Sequence, residues 1–187
     1  MMKQLNRGTT LFELLIVLSI MSILLLGAIP AFGGLLKRNL ITSTVNRLIG
    51  LSYFARQMAI KNNAYVTLCA SSDGIRCGRD WHLGQLLFVD HNRDRKINGN
   101  DRILRFNHIE DPNLRVTWRS FRSRNFLQYS ARGWTNYYNG TFRVCLAGSE
   151  QFYNRAIIIN RPGRARASVD SDNDGFHEDR EGAVITC

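Results

Sequence analysis

Arg7-Gly8-Thr9-Thr10-Leu11-Phe12-Glu13-Leu14-Leu15-Ile16-Val17-Leu18 opens the stretch on which the fold turns. Two positive charges, Lys3 and Arg7, precede the apolar run, and after the single carboxylate of Glu13 no residue from Leu14 to Leu36 is charged. As a helix those residues would reach roughly 34 Å, enough to cross a hydrocarbon core of about 30 Å. The pattern predicts a membrane segment, with Lys3 and Arg7 on the cytoplasmic side and the rest of the chain exported. Glu13 is costly in lipid and calls for a partner; the alternative is that it lies at the interface and marks the helix end. Pro30 removes a backbone hydrogen bond and predicts a kink, in a region that Gly27, Gly33 and Gly34 also loosen. An ordinary secretory signal would be cut after the apolar run, near Ala28, Ala31, Gly33 and Gly34. The competing site, Gly8, lies before the run, and cleavage there leaves the helix on the mature chain.

Beyond residue 36 the pattern becomes one-sided. Ile41, Val45, Leu48, Leu51, Ala55, Met58 and Ala59 recur at steps of three and four, with Lys37, Arg38, Arg47, Arg56 and Lys61 elsewhere. That spacing predicts an amphipathic helix over 37–61, stopped at Asn62-Asn63 and laid across a sheet. Residues 62–187 are β-like, with strands expected at Ala64–Ala70, Gln85–Asp90, Asp101–Phe106, Arg115–Arg119, Leu127–Ser130, Gly140–Leu146, Arg155–Asn160 and Arg164–Val169. Arg115–Arg119 and Arg164–Val169 alternate as half-buried strands do. An α+β architecture follows, a long amino-terminal helix packed on one or two antiparallel sheets.

The cysteines agree with export. Four of them allow three pairings: Cys69–Cys77 closes a local turn, and Cys145–Cys187 would pin the carboxy terminus. A zinc site is disfavoured, since no Cys-x-x-Cys occurs and His82, His91, His108 and His177 do not cluster with the cysteines.

The amino-terminal stretch resembles the class III signal of type IV prepilins and type II secretion pseudopilins. That resemblance implies a leader of residues 1–8, cut after Gly8 by a prepilin peptidase, with Thr9 as the methylated first mature residue. It also implies Glu13 as the retained acid, facing the new α-amino group of a neighbouring subunit. Thr9 departs from the usual phenylalanine, which suits a minor subunit. Trp81-His82-Leu83-Gly84-Gln85-Leu86-Leu87-Phe88-Val89-Asp90-His91-Asn92-Arg93-Asp94, followed by Asp101, is similar to the tryptophan, glycine, Phe-x-Asp-x-Asn-x-Asp block of the GspH/FimT branch. The branch implies a type IV pilin-like fold, with residues 9–36 as the transmembrane half of the helix. It further implies a single-pass inner-membrane protein with a periplasmic carboxy-terminal domain before assembly, and other pilin subunits as partners in a pilus or pseudopilus.

Composition narrows the function. The 187 residues carry 25 Lys and Arg against 15 Asp and Glu, a net +10, and only Lys3, Lys37, Lys61 and Lys96 are lysines. With 44% apolar residues and three prolines, the chain is neither a disordered polybasic tail nor a Pro-rich linker. The charge is concentrated: residues 115–166 hold Arg115, Arg119, Arg122, Arg124, Arg132, Arg143, Arg155, Arg161, Arg164 and Arg166 against Glu150 alone. Trp118, Trp134, Tyr137 and Tyr138 lie among them. Arginine forks pair with phosphate and stack on rings, so such a surface suits a nucleic-acid backbone. Gly163-Arg164-Ala165-Arg166 would place two arginines on one face roughly 7 Å apart, with Gly163 admitting close backbone approach. It resembles the Gly-Arg-x-Arg motif of FimT proteins, which bind DNA during natural transformation. The expected DNA set is therefore Gly163, Arg164, Arg166, Arg161, Arg155 and Arg143. The alternatives are solvated strand faces or contacts with acidic neighbours in the pilus, as in a FimU-like tip subunit that primes assembly or a GspH pseudopilin of type II secretion.

Asp170-Ser171-Asp172-Asn173-Asp174-Gly175, followed after five residues by Glu181, has the spacing of a calcium loop, with Asp170, Asp172, Asp174 and Glu181 as carboxylates and Phe176 supplying a carbonyl. A turn rich in aspartate is the other reading. Asp90, Asn92, Asp94 and Asp101 form a poorer copy, with Arg95 where glycine belongs, and read as a turn. No P-loop, His-Glu-x-x-His or Gly-x-Ser-x-Gly is present, and no enzymatic activity is expected.

Overall fold

The computed structural model describes residues 9–109, 111–121, 124–148, 151–179 and 181–187, with the side chains of 28–31 excepted. Gly8, Arg122 and Glu150 lie outside the described residues, as does the side chain of Pro30 on which the expected kink depends. One helix, α1 (Leu11–Lys61), is followed by β1 (Tyr65–Ala70), β2 (Gly84–Asp90), β3 (Arg102–His108), β4 (Leu114–Ser120), β5 (Phe126–Tyr129), β6 (Gly140–Leu146), β7 (Arg155–Ile159) and β8 (Ala165–Ala167). Backbone contacts divide the chain into a unit ending at Asn39 and a body of Leu40–Cys187. In the first unit the apolar side chains are exposed, from Leu11 at 76% to Leu26 at 76%, and α1 is long and apolar enough to cross a membrane.

In the body, the periodic face of α1 is buried through Ile41, Val45, Leu48, Leu51, Ala55 and Ala59, while Met58 packs at its margin. Asn63 ends the helix in the left-handed region (φ +47°), and the Ala64 N–H reaches back to the Ala59 carbonyl at 3.2 Å. Asparagine tolerates that conformation better than most residues, so the stop follows from side-chain chemistry.

Two antiparallel sheets form, ordered β3-β2-β1-β5 and β4-β6-β7-β8. Every residue of β2 is buried. Leu87 and Val89 join the main core with α1, whereas Leu86 and Phe88 enter a second cluster with Cys69, Ile97 and Phe126. Between the sheets Trp81, Trp118 and Phe142 interlock, with ring centroids 4.3 Å apart for Trp118–Phe142 and 4.9 Å for Trp81–Phe142. Gly84 is wedged between the Asn107 and Ser71 carbonyls, each of which would lie 2.7 Å from an added Cβ. Much of the tryptophan-glycine-phenylalanine block is thereby explained by packing. Disulfides join Cys69 to Cys77 and Cys145 to Cys187.

Strand β8 is shorter than its alternation predicted. At one end the Arg164 N–H turns to the Asn160 Oδ1 (2.8 Å). At the other, the Ser168 N–H still donates to the Ala156 carbonyl (2.7 Å), but the Ala156 N–H goes to the Ser168 hydroxyl (2.9 Å) in place of a backbone carbonyl, and regular pairing ends. Val169 is exposed rather than half-buried.

Candidate nucleic-acid interface

Side chains alternate along a strand, so the second sheet has one face toward α1 and one facing outward. Val116, Trp118, Phe142, Val144, Ile157 and Ile159 are its inner set. The outer set follows from register: Arg119 pairs with Thr141, Thr141 with Ile158, and Ile158 with Arg166. Arg119 and Arg166 are thus brought into one row across four strands, roughly 14 Å apart at the usual strand spacing. The next row aligns Thr117, Arg143 and Ala156, and Arg115 lies beyond it opposite Cys145. Arg164 extends the face past the end of β8, its carbonyl accepting the Asn160 N–H at 3.1 Å. No strand of this sheet contains an acidic residue, so five arginines share a face whose own strands supply no counter-charge.

The expected residues divide among several roles. Arg164 and Arg166 are exposed on the outer face. Arg161 lies in the turn between β7 and β8, its guanidinium 4.9 Å from the centroid of the exposed Tyr137 ring (56%), and the exposed Trp134 (47%) adjoins Thr135 in the segment that meets this turn. Thr135 ties the turn down, its N–H donating to the Arg161 carbonyl at 3.0 Å. Arg143 is on the outer face, but its Nη1 donates to the Thr186 carbonyl (2.8 Å) and holds the carboxy-terminal segment beside the Cys145–Cys187 bridge.

Two residues leave the set. Arg155 shares the parity of Ile157 and Ile159 and therefore belongs to the inner side. Its Nη1 donates to the carbonyls of Phe152 (2.7 Å) and Asn154 (2.8 Å). Gly163 is buried in the left-handed region (φ +81°), where an added Cβ would strike the Gly133 carbonyl and come within 2.9 Å of the Tyr129 ring. The close approach that this glycine permits is to the protein's own interior, not to a ligand. The contribution of Arg119 is visible only through strand register; alternation in β4 placed it on an exposed face without saying which arginines would join it.

The acidic loop also rearranges. One carboxylate oxygen from each of Asp170, Asp172, Asp174 and Glu178 lies within 4.8 Å of the others. Glu181 is not part of the group: it is exposed and its N–H donates to Asp179 Oδ1 (2.9 Å). Glu178 is brought in instead because its backbone bridges Val169 on one side and Val184 on the other. Gly175 lets the loop settle on the Phe152 ring, 2.8 Å from where its Cβ would be. Beside it the His177 Nδ1 sits 2.9 Å from the Ser168 carbonyl, and burial, then the Arg155 charge, pushes the imidazole below its ordinary value.

At the amino terminus of α1, Thr9 and Glu13 are exposed, and the Thr10 Oγ1 accepts the Glu13 N–H at 3.2 Å, capping the first turn.

The model of the type II transport protein GspH family matches residues 44–163, spanning the last third of α1 and the strands through β7. The chain belongs to the GspH family. In this GspH-family chain the prokaryotic N-terminal methylation motif matches residues 3–29, which contain Gly8, Thr9 and Glu13. The chain is similar to the crystal structure of the type IV minor pilin FimU of Pseudomonas aeruginosa PAO1, at 21% identity, with 69% of this chain and 88% of that chain covered and a TM-score of 0.54. A second crystal form of FimU gives 19% identity, 68% and 92% coverage and a TM-score of 0.52. No curated protein sequence matches. The fold is the type IV pilin fold, and the family is one of structural pilin and pseudopilin subunits. It implies other pilin subunits as partners, processing by prepilin peptidase, and inner-membrane anchoring followed by assembly.

Proposed function

We propose that this GspH-family chain is a FimT-like minor type IV pilin that captures DNA for natural transformation on the outer face of its second sheet. Residues 1–8 are the leader, cleavage after Gly8 exposes Thr9, and residues 9–36 anchor the chain in the inner membrane with one pass. Residues 37–61 pack on the sheets, and 62–187 form the periplasmic domain that travels into the pilus. The observation that carries the reading is the register that joins Arg119 and Arg166 in one row, with Arg164 beside them, on strands free of acidic residues. Guanidinium groups spread over ~14 Å span more than one phosphate of a nucleic-acid backbone, and the exposed Trp134 and Tyr137 add ring surface near Arg161.

The test is DNA binding by the full chain in detergent micelles at several salt concentrations. Arg164→Ala/Arg166→Ala should weaken binding and flatten the log-log salt dependence by about 0.9 for each phosphate that the variant no longer neutralises. Arg119→Ala should act in the same direction. Unchanged affinity in both variants overturns the reading.

The similarity to FimU favours a second reading, in which the protein is a tip subunit that primes pilus assembly and the arginines bind neighbouring subunits. A deletion strain separates the two. Lost transformation with normal pili supports DNA capture, whereas lost pili supports the scaffold, and lost protein secretion places the chain in a type II pseudopilus.

A further inference from the structure

The four-carboxylate loop after β8 has a feature that an aspartate-rich turn does not explain. Its three aspartates are braced by backbone amides: the Gly175 N–H donates to Asp170 Oδ2 (2.9 Å), the Asp174 N–H to Asp172 Oδ1 (3.2 Å) and the Phe176 N–H to Asp174 Oδ1 (2.8 Å). Bracing of that kind is ordinary in a turn. Glu178 is different, because it is only 7% exposed. Its Oε2 accepts both the N–H (2.8 Å) and the O–H (2.6 Å) of Ser171, while its Oε1 is enclosed with no donor among the described residues. Asp170 repeats the pattern, with Oδ2 bonded to Gly175 and Oδ1 enclosed with no donor among the described residues. Two buried carboxylate oxygens without partners among the described residues, in a group of four acids within 4.8 Å, are unfavourable both by desolvation and by mutual repulsion.

We propose that this loop is a binding site for one calcium ion, held by Asp170, Asp172, Asp174 and Glu178. A divalent cation supplies the partner that both enclosed oxygens lack and cancels the repulsion among the four acids. The donor set is all oxygen, which selects a hard cation. The one imidazole nearby, His177, is turned to Ser168 and is not in the group. Because Glu178 is fixed by bridges to Val169 and Val184, the ion would clasp the end of β8 to the carboxy-terminal segment, whose last residue is tied to Cys145. The site is independent of DNA binding, and its ligand set differs from the one that the twelve-residue spacing suggests.

Asp90, Asp94 and Asp101 also group within 4.8 Å, with Asp90 Oδ1 enclosed and unpartnered among the described residues. That loop has three acids rather than four. The second Asp90 oxygen already accepts Thr67 (2.8 Å), Gln128 (2.9 Å) and the Arg95 N–H (3.2 Å), and Arg93, Arg95 and Lys96 add positive charge. It serves as the internal comparison.

The experiment uses the full chain in detergent, stripped with chelator, desalted and titrated with calcium chloride, with binding followed by calorimetry and by melting. One equivalent should bind with a Kd of ~0.1–1 mM or tighter, the range of calcium modules outside the cell, and the melting temperature should rise with calcium. Glu178→Gln and the exposed double variant Asp172→Asn/Asp174→Asn should each lose this binding, whereas Glu181→Gln and Asp94→Asn should retain it. Absence of both heat and a melting shift at ~10 mM calcium overturns the site. So does binding that survives Asp172→Asn/Asp174→Asn but is lost in Asp94→Asn, or binding that survives Glu178→Gln but is lost in Glu181→Gln.

Discussion

Replacing Gly163 with alanine tests whether that glycine serves the interior or a ligand. At φ +81° an alanine is strained whatever the space around it, at a cost of about 1–2 kcal/mol. Its Cβ would also strike the Gly133 carbonyl and lie 2.9 Å from Tyr129 Cε1. Tyr129 is fully buried, and the Gly133 carbonyl is backbone, so relieving the clash requires the chain itself to shift. Overpacking of this kind adds about 1–3 kcal/mol, for a total near 2–5 kcal/mol. At ~2–4 °C per kcal/mol for a chain of this size, the melting temperature should fall by roughly 4–20 °C. Gly99→Ala isolates the conformational part, because Gly99 has φ +52° and, among the described residues, nothing within 4 Å of an added Cβ. It should cost only about 1–2 kcal/mol. Thermal melting of both variants, with DNA binding measured in parallel, decides the matter. If Gly163→Ala melts no lower than Gly99→Ala but loses DNA binding, the glycine faces the ligand and does not serve interior packing.

The two disulfides should differ in worth. Loop-closure entropy assigns about 4 kcal/mol to Cys145–Cys187, which spans 42 residues, and about 2.5 kcal/mol to Cys69–Cys77, which spans 8; paired serine variants compared by denaturant melting should rank in that order, and the reverse ranking would contradict it. In the Cys69–Cys77 loop, the Ile75 and Arg76 amides hold the Asp73 carboxylate below its ordinary value of 3.8. Its contribution to loop order is therefore present above pH 3.8 and lost as the pH falls through the lower folded value, so the Ile75 and Arg76 amide resonances should titrate with a midpoint below 3.8. A midpoint at or above 3.8 would show that the carboxylate is not held there.

Much of this protein was legible in one dimension because the relevant physics is local. An uncharged run from Leu14 to Leu36, a three-and-four periodicity ending at Asn63, and short alternating strands together determine a long helix and a β-rich body. The cysteines fell into the same reading, since an eight-residue separation closes naturally around a turn. Charge density was equally plain, as ten arginines against one glutamate between residues 115 and 166 need no structure to count.

What the tertiary structure alone decided is where those charges go and which acids meet. Strand parity sends Arg155 inward and Arg166 outward, although both lie in strands of the same basic stretch. Pairing across β4, β6, β7 and β8 sets Arg119 in a row with Arg166, 47 positions later in the chain. Sequence spacing likewise nominated Glu181 for the acidic loop, but the backbone bridges at Val169 and Val184 deliver Glu178. Gly163 drew attention as part of a motif, yet its reason lies in the packing of Tyr129 and Gly133. Composition and period fix which elements form, because those depend on neighbours a few residues away. Which side chains share a surface depends on register between distant strands, and that is settled only when the core closes.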